Sequence, residues 1–167
     1  MTIDLVKILN EGSFFNLWYW LFLAVTWSRI TYVSVGVPLS IARAAWRDSE
    51  QNIQDFEILL AINARRFCAS FDSYGVIFVA FISFLLATMG TLGFLFDFEV
   101  LQAMFLLLIF VVIAEVIALR FARKLMQGGL SGQPLVQAYF RHQKHKQFLG
   151  MFCVTVISIY GVSQSGI

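Results

Sequence analysis

Groups that carry catalysis are scarce in this chain. It has two histidines, His142 and His145, and two cysteines, Cys68 and Cys153. The histidines stand three apart beside Lys144 and Lys146, so they offer two metal ligands at most, next to cations that repel a metal. The cysteines lie far apart in sequence and in no CxxC pair, which excludes a dithiol centre and a self-contained iron–sulfur cluster. They read as small apolar fillers. There is no HExxH, and no Lys-Ser/Thr follows Gly128, Gly129 and Gly132, so neither a zinc peptidase nor a phosphate-binding loop is encoded. Asp97 and Glu99 stand two apart on a tight turn, a poor acid–base pair without a pocket. The expectation is no catalytic residue, no cofactor, no metal site and no enzymatic activity.

Charge is scarce too, at 13% of residues, about half the usual share of a soluble domain. The net charge of +2 gives no footprint for nucleic acid. Two prolines and no Ser/Gly-rich run leave little room for linkers. No internal repeat is present. The early segment MTIDLVKILNEG carries Asp4 and Glu11 beside Lys7, and the apolar stretch after it is too long for a signal peptide, so it is expected to be retained.

What the chain has in abundance is apolar surface: 59% hydrophobic residues, with 18 phenylalanines among 167 residues. A soluble core of that size cannot bury so much. Four stretches approach the roughly 20 apolar residues that cross a bilayer: about 16–38, 73–96, 100–119 and 148–167. The predicted fold class is therefore an all-α membrane protein, a single membrane domain over 1–167. It has four transmembrane helices, plus two amphipathic helices in the cytoplasmic segments 43–72 and 120–147. Ten of the 12 Lys and Arg lie in those two segments, and the turn at 97–99 has none. The positive-inside rule puts both segments in the cytoplasm and both termini in the periplasm.

Within 43–72, Ile53, Phe56, Leu60 and Phe67 share one helical face after Ser49, a good N-cap. That face packs on the protein's own bundle or on headgroups, or it docks a protein partner. Within 120–147, Gly128, Gly129, Gly132 and Pro134 break the chain. A basic interfacial helix then brings Arg141, Lys144 and Lys146 to anionic headgroups. Two charges fall inside the apolar stretches, Arg29 in the first and Glu115 in the third. Isolated charges there cost about 2.5–3.5 kcal/mol and pair or line a cavity. Their depths differ by about 6 Å at 1.5 Å per residue, so an Arg29–Glu115 ion pair fixing helix register is expected, with snorkelling as the competitor.

The run GSFFNLWYWLFLAVTWS, the GVP that follows, AINARR, FDFEVLQAMFLLLIF, RFARKLMQGGLSG and RHQKHKQFLGM resemble, in pattern and order, a small bacterial family of four-span inner-membrane proteins. That family is sometimes labelled a component of the SUF iron–sulfur assembly scaffold. The resemblance covers nearly the whole chain. It implies a bacterial inner-membrane location and at most a link to cluster assembly, and it carries over no catalytic residue. Three functions are then open. The first is a non-enzymatic membrane accessory subunit or adaptor docking a cytoplasmic or membrane partner. The second is a small transporter or channel using Arg29 and Glu115. The third is a membrane-bound helper of cluster assembly using Cys68.

Overall fold

A computed structural model describes residues 17–47 and 50–164. Ser49 and the start of the expected first span lie outside the described residues. The described chain is almost wholly helical: α1 Leu17–Tyr32, β1 Val33–Ser34, β2 Val37–Pro38, α2 Leu39–Trp46, α3 Glu50–Leu95, α4 Glu99–Gly128 and α5 Gln133–Gln164. Among the described residues, three helices are long and apolar enough to cross a membrane, Glu50–Leu95, Glu99–Gly128 and Gln133–Ser163. The expected pattern of four spanning and two separate amphipathic helices is not what forms.

The first difference lies in α1. It ends at Tyr32, and its 16 described residues fall short of a full crossing. Val35 and Gly36 both take positive φ, 51° and 71°, the signature of a type I′ turn. The turn pairs Val33 with Pro38 and Ser34 with Val37 in a minimal antiparallel ladder. A β-branched residue in this region is strained by about 1–2 kcal/mol. Val35 is held there by burial in a core. Gly36 is required twice over, since a Cβ would stand 3.1 Å from Asn63 Cγ and the backbone is left-handed. Pro38 leads the chain into α2, whose Leu39, Ala42 and Ala45 are buried.

The second difference is fusion. The predicted amphipathic helix after residue 50 and the apolar run after 73 form one helix of 46 residues, about 70 Å long. Nothing in ARRFCASFDSY breaks a helix; only the solvent preference changes there. The basic helix after Pro134 and the last apolar stretch likewise merge into α5, 32 residues long. The true breaks are local. Asp97 takes φ 54°, and the Phe98 carbonyl accepts from Leu101 N and Gln102 N at 3.0 and 3.1 Å to start α4. Gly129 and Gly132 take positive φ, and the Gly132 carbonyl accepts from Leu135 N at 3.1 Å to start α5.

The chain divides into two compact units. Of the described residues, one contains 17–27, Ile77–Val112 and 149–164. Its buried residues include Leu23, Trp27, Ala103, Leu107, Phe110, Cys153 and Ile157. Gly93 lets α4 approach α3, since a Cβ there would stand 3.0 Å from Gln102 N. The buried Gln102 side chain donates to the Gly93 carbonyl at 2.8 Å and accepts from Tyr160 Oη at 3.1 Å. Tyr19 Oη donates to the Ala103 carbonyl at 3.2 Å. The second unit contains Ser28–Val76 and Ile113–Phe148. Its core joins Val35, Val37, Leu39, Ala42, Phe56, Leu60, Ala118, Ala122, Leu135, Val136 and Tyr139. Every described Lys and Arg belongs to this second unit. The long apolar stretch of α3 stays uncovered, with Val76 86% and Leu95 75% exposed, which no water-soluble core tolerates on this scale.

Candidate functional site

The polar groups that converge do so in the second unit, on one face of α5. Tyr139, His142, Gln143 and Lys146 follow each other at helical spacing, and all four are buried. Leu135 and Val136, one turn earlier on the same face, are buried with them. Tyr139 Oη donates to the Val37 carbonyl at 3.0 Å, with its ring edge-on to Phe56. Gln143 Nε2 donates to the Thr31 carbonyl. From α3, Asn63 Nδ2 donates to the Gly36 carbonyl at 3.2 Å. These three donors serve one purpose. The end of α1 and the hairpin after it expose carbonyls that no helix ladder uses, and buried carbonyls need partners. The loop after α4 is served in the same way, with Gly132 N donating to the Glu57 carboxylate. Gln143 Oε1 is buried without a hydrogen-bond partner.

Electrostatics follow from burial. His142 stacks flat on Phe121, ring centroids 4.2 Å apart. Burial, then the charges of Lys146 and His145, push its pKa down to about 4, so the ring is neutral at pH 7. Burial pushes Lys146 below the ordinary lysine range, and the Glu115 carboxylate pulls it back up.

The expected Arg29–Glu115 pair does not form: both side chains are exposed, and an ion pair instead joins Arg123 to Asp72 at 3.0 Å. The reason is the early end of α1. Arg29 lies in the last turn of that helix, where a cation complements the helix dipole, rather than in mid-span. Glu115 instead acts on Lys146. Arg123 also lies over the Phe71 ring, 5.8 Å from its centroid. Both partners of its ion pair are half exposed or more, which makes it a weak strut.

The predicted docking face is likewise spent internally. Phe56 and Leu60 are buried in the core of the second unit, and Ile53 and Phe67 pack against it, because apolar residues of α2, α4 and α5 meet on that face. Of the predicted headgroup contacts, Arg141 and Lys144 are exposed and Lys146 is buried. Position 146 continues the inward face of α5, whereas 141 and 144 lie off it. Cys68 packs against the same core, and burial raises its thiol pKa against the opposing pull of Arg123, which leaves it a poor thiolate donor. Cys68 and Cys153 are both free. Among the described residues no group of three or more His, Cys, Asp or Glu could hold a metal.

A cleft of about 210 Å³ lies between α3 and the α4–α5 connection, lined by Leu60, Ala64, Leu125, Met126, Leu135 and the Glu57 carboxylate. It is smaller than ordinary small-molecule sites, and its one charged group already serves Gly132. The buried polar face of α5 is a missed feature of the sequence. Its signal was the 139, 142, 143, 146 spacing continuing that of 135 and 136. Comparison of the chain with protein-family models, curated proteins and solved structures finds no match.

Proposed function

We propose that the protein is a non-enzymatic, multi-pass subunit or adaptor of the bacterial inner membrane, which recruits a protein partner through its apolar helices. One observation carries this reading: most of the apolar half of α3 is uncovered, with Ile77 70%, Phe84 66% and Leu95 75% exposed. Such a surface needs lipid or another protein. The converging polar groups support a structural role, since three of them are committed to backbone carbonyls. In this reading α1 also enters the bilayer. The basic segments face the cytoplasm and both termini face the periplasm. Native co-purification of tagged protein in mild detergent, read by mass spectrometry, is expected to give a stoichiometric partner; a lone monomer or homo-oligomer overturns the adaptor. Labelling of Asp97→Cys and Lys144→Cys from opposite compartments is expected to differ, and equal accessibility overturns the topology.

A second reading, a small transporter, rests on the buried Lys146 of α5, since an ionisable group buried beside an apolar stretch is where a proton path is sought. Proton flux into vesicles carrying the protein, abolished by Glu115→Gln, would establish it. Flux equal to that of empty vesicles removes it.

A further inference from the structure

The face of α3 that carries Phe56, Leu60 and Phe67 is spent on the protein's own core, and the opposite face is left bare. Ile58, Ala61, Ile62 and Arg65 follow one another at i, i+3, i+4 and i+7, so they share one side of the helix. All four are exposed, Ile58 at 61%. Ala61 also lines the cleft of about 210 Å³, together with Met126 and Leu130, two further exposed apolar side chains. A cleft of that volume is below the range of small-molecule sites. It admits one apolar anchor of the kind that centres a docked helix, while the strip on α3 supplies the contact around it. Charge marks the two ends of the strip. Asp55 stands three residues before Ile58 and Arg65 seven after it, both exposed, about 15 Å apart along the helix. Neither has an ion-pair partner among the described residues.

Depth and charge together select the occupant. Ile62 and Ile58 precede Ser73, where the apolar stretch of α3 opens, by 11 and 15 residues of unbroken helix. That is about 16 and 22 Å, beyond a headgroup layer about 5–8 Å deep, so lipid does not cover this face. A second copy in the same membrane would run its α3 parallel to the first. Asp55 would then meet Asp55 and Arg65 would meet Arg65, like charge on like. We infer that the face takes a cytoplasmic helix of a partner protein. That helix carries an apolar strip at i, i+3, i+4 and i+7, an acidic residue toward Arg65 and a basic one toward Asp55. The inference rests on the membrane-adaptor reading above and deepens it, because it gives the partner's chemistry and seats it on the water-side half of α3.

The test uses the full chain in phosphatidylcholine nanodiscs. An environment-sensitive dye sits on Gln54→Cys, at the polar edge of the face, in a Cys68→Ser background, with Cys153 buried. The probes are three synthetic helical peptides with leucine at i, i+3, i+4 and i+7. Their flanks, ten positions apart, carry Glu and Lys, Glu and Glu, or Lys and Lys. The Glu/Lys peptide is expected to shift the dye's emission to the blue at about fivefold lower concentration than the others, since each of those exchanges one exposed attraction for a repulsion. Asp55→Lys should hand the preference to the Glu/Glu peptide. Ile58→Glu/Ile62→Glu, at two exposed positions, should weaken all three at least about tenfold. No shift with any peptide, or a preference indifferent to Asp55→Lys, overturns the site. Emission already blue before peptide is added overturns it too: a shift lost at one copy per nanodisc assigns the face to a second copy, and one that stays assigns it to lipid. A co-purifying partner that survives Ile58→Glu/Ile62→Glu keeps the adaptor and removes this face. Protein that never enters nanodiscs overturns the membrane reading and the site together.

Discussion

Replacing Tyr139 by Phe changes one polar atom and leaves the packing in place. The ring is fully buried and keeps its edge-to-face contacts with Phe56, at 5.3 Å, and Phe140, at 5.9 Å. The hydroxyl alone goes, and with it the 3.0 Å bond to the Val37 carbonyl. Val37 is itself fully buried, so water cannot take the place of the hydroxyl. A neutral hydrogen bond contributes about 1 kcal/mol net, and an acceptor left short of a donor in a dry site adds to that loss, so about 2 kcal/mol is expected. For a chain of 167 residues that corresponds to a fall in Tm of roughly 4–8 °C. The assay is thermal unfolding in mild detergent, followed with a thiol-reactive dye in a Cys68→Ser background, so that the buried Cys153 reports opening. Tyr160→Phe is the contrast. That hydroxyl donates to a side-chain oxygen at 3.1 Å from a half-buried position, so its removal should cost no more than about 1 kcal/mol. A Tyr139→Phe protein melting within about 1 °C of the parent would refute the idea that these side-chain donors hold the hairpin.

Three further outcomes are expected. Glu115→Gln and Lys146→Met should be coupled by at least about 0.5 kcal/mol in a double-mutant cycle of melting, whereas Glu115→Gln and Arg29→Gln should add independently; coupling to Arg29 would restore the discarded ion pair. His142 binds its proton less readily folded, at about 4, than unfolded, near 6.5. The unfolded chain therefore takes up the proton first as pH falls, so stability is complete above about pH 6.5 and lost between there and pH 4. That loss, on the order of 2–3 kcal/mol, should vanish from the pH–melting curve in His142→Gln. Gly93→Ala should lower the Tm by several degrees, because a Cβ there meets Gln102 backbone at 3.0 Å and overpacking costs about 1–3 kcal/mol, more than the gain in helix propensity. An unchanged melt would show that α3 and α4 approach less closely than described.

Much of the fold was legible, because the breakers are explicit. The Gly128–Pro134 cluster falls where α4 gives way to α5, and the Asp97 turn falls between α3 and α4. What misled was taking a change of solvent for a change of backbone. At Asp72–Ser73 the sequence passes from charged to apolar, yet no residue there interrupts the ladder of hydrogen bonds, so α3 runs on. The reverse error occurred at Val35. Its β-branched side chain argues against a left-handed backbone, and local propensity gave no hint that burial in the core would hold it there. That turn shortened α1 and carried Arg29 out of mid-span, so the argument for its partner failed at the same point.

The site was less legible, and for a different reason. Hydropathy assigns Tyr139, His142, Gln143 and Lys146 to water, and a basic helix next to an apolar stretch is ordinarily read as a headgroup strip. What turns this face inward is demand from elsewhere in the chain. The early end of α1 leaves the Thr31 carbonyl without its helical donor, the hairpin adds those of Gly36 and Val37, and only long polar side chains reach them. The spacing of Leu135, Val136, Tyr139, His142, Gln143 and Lys146 was visible from the start as a single stripe. Its meaning depended on the carbonyls of residues 31 and 37, about a hundred positions away. A polar stripe that continues an apolar one at helical spacing is therefore best read together with the nearest broken helix, as a set of donors in search of acceptors.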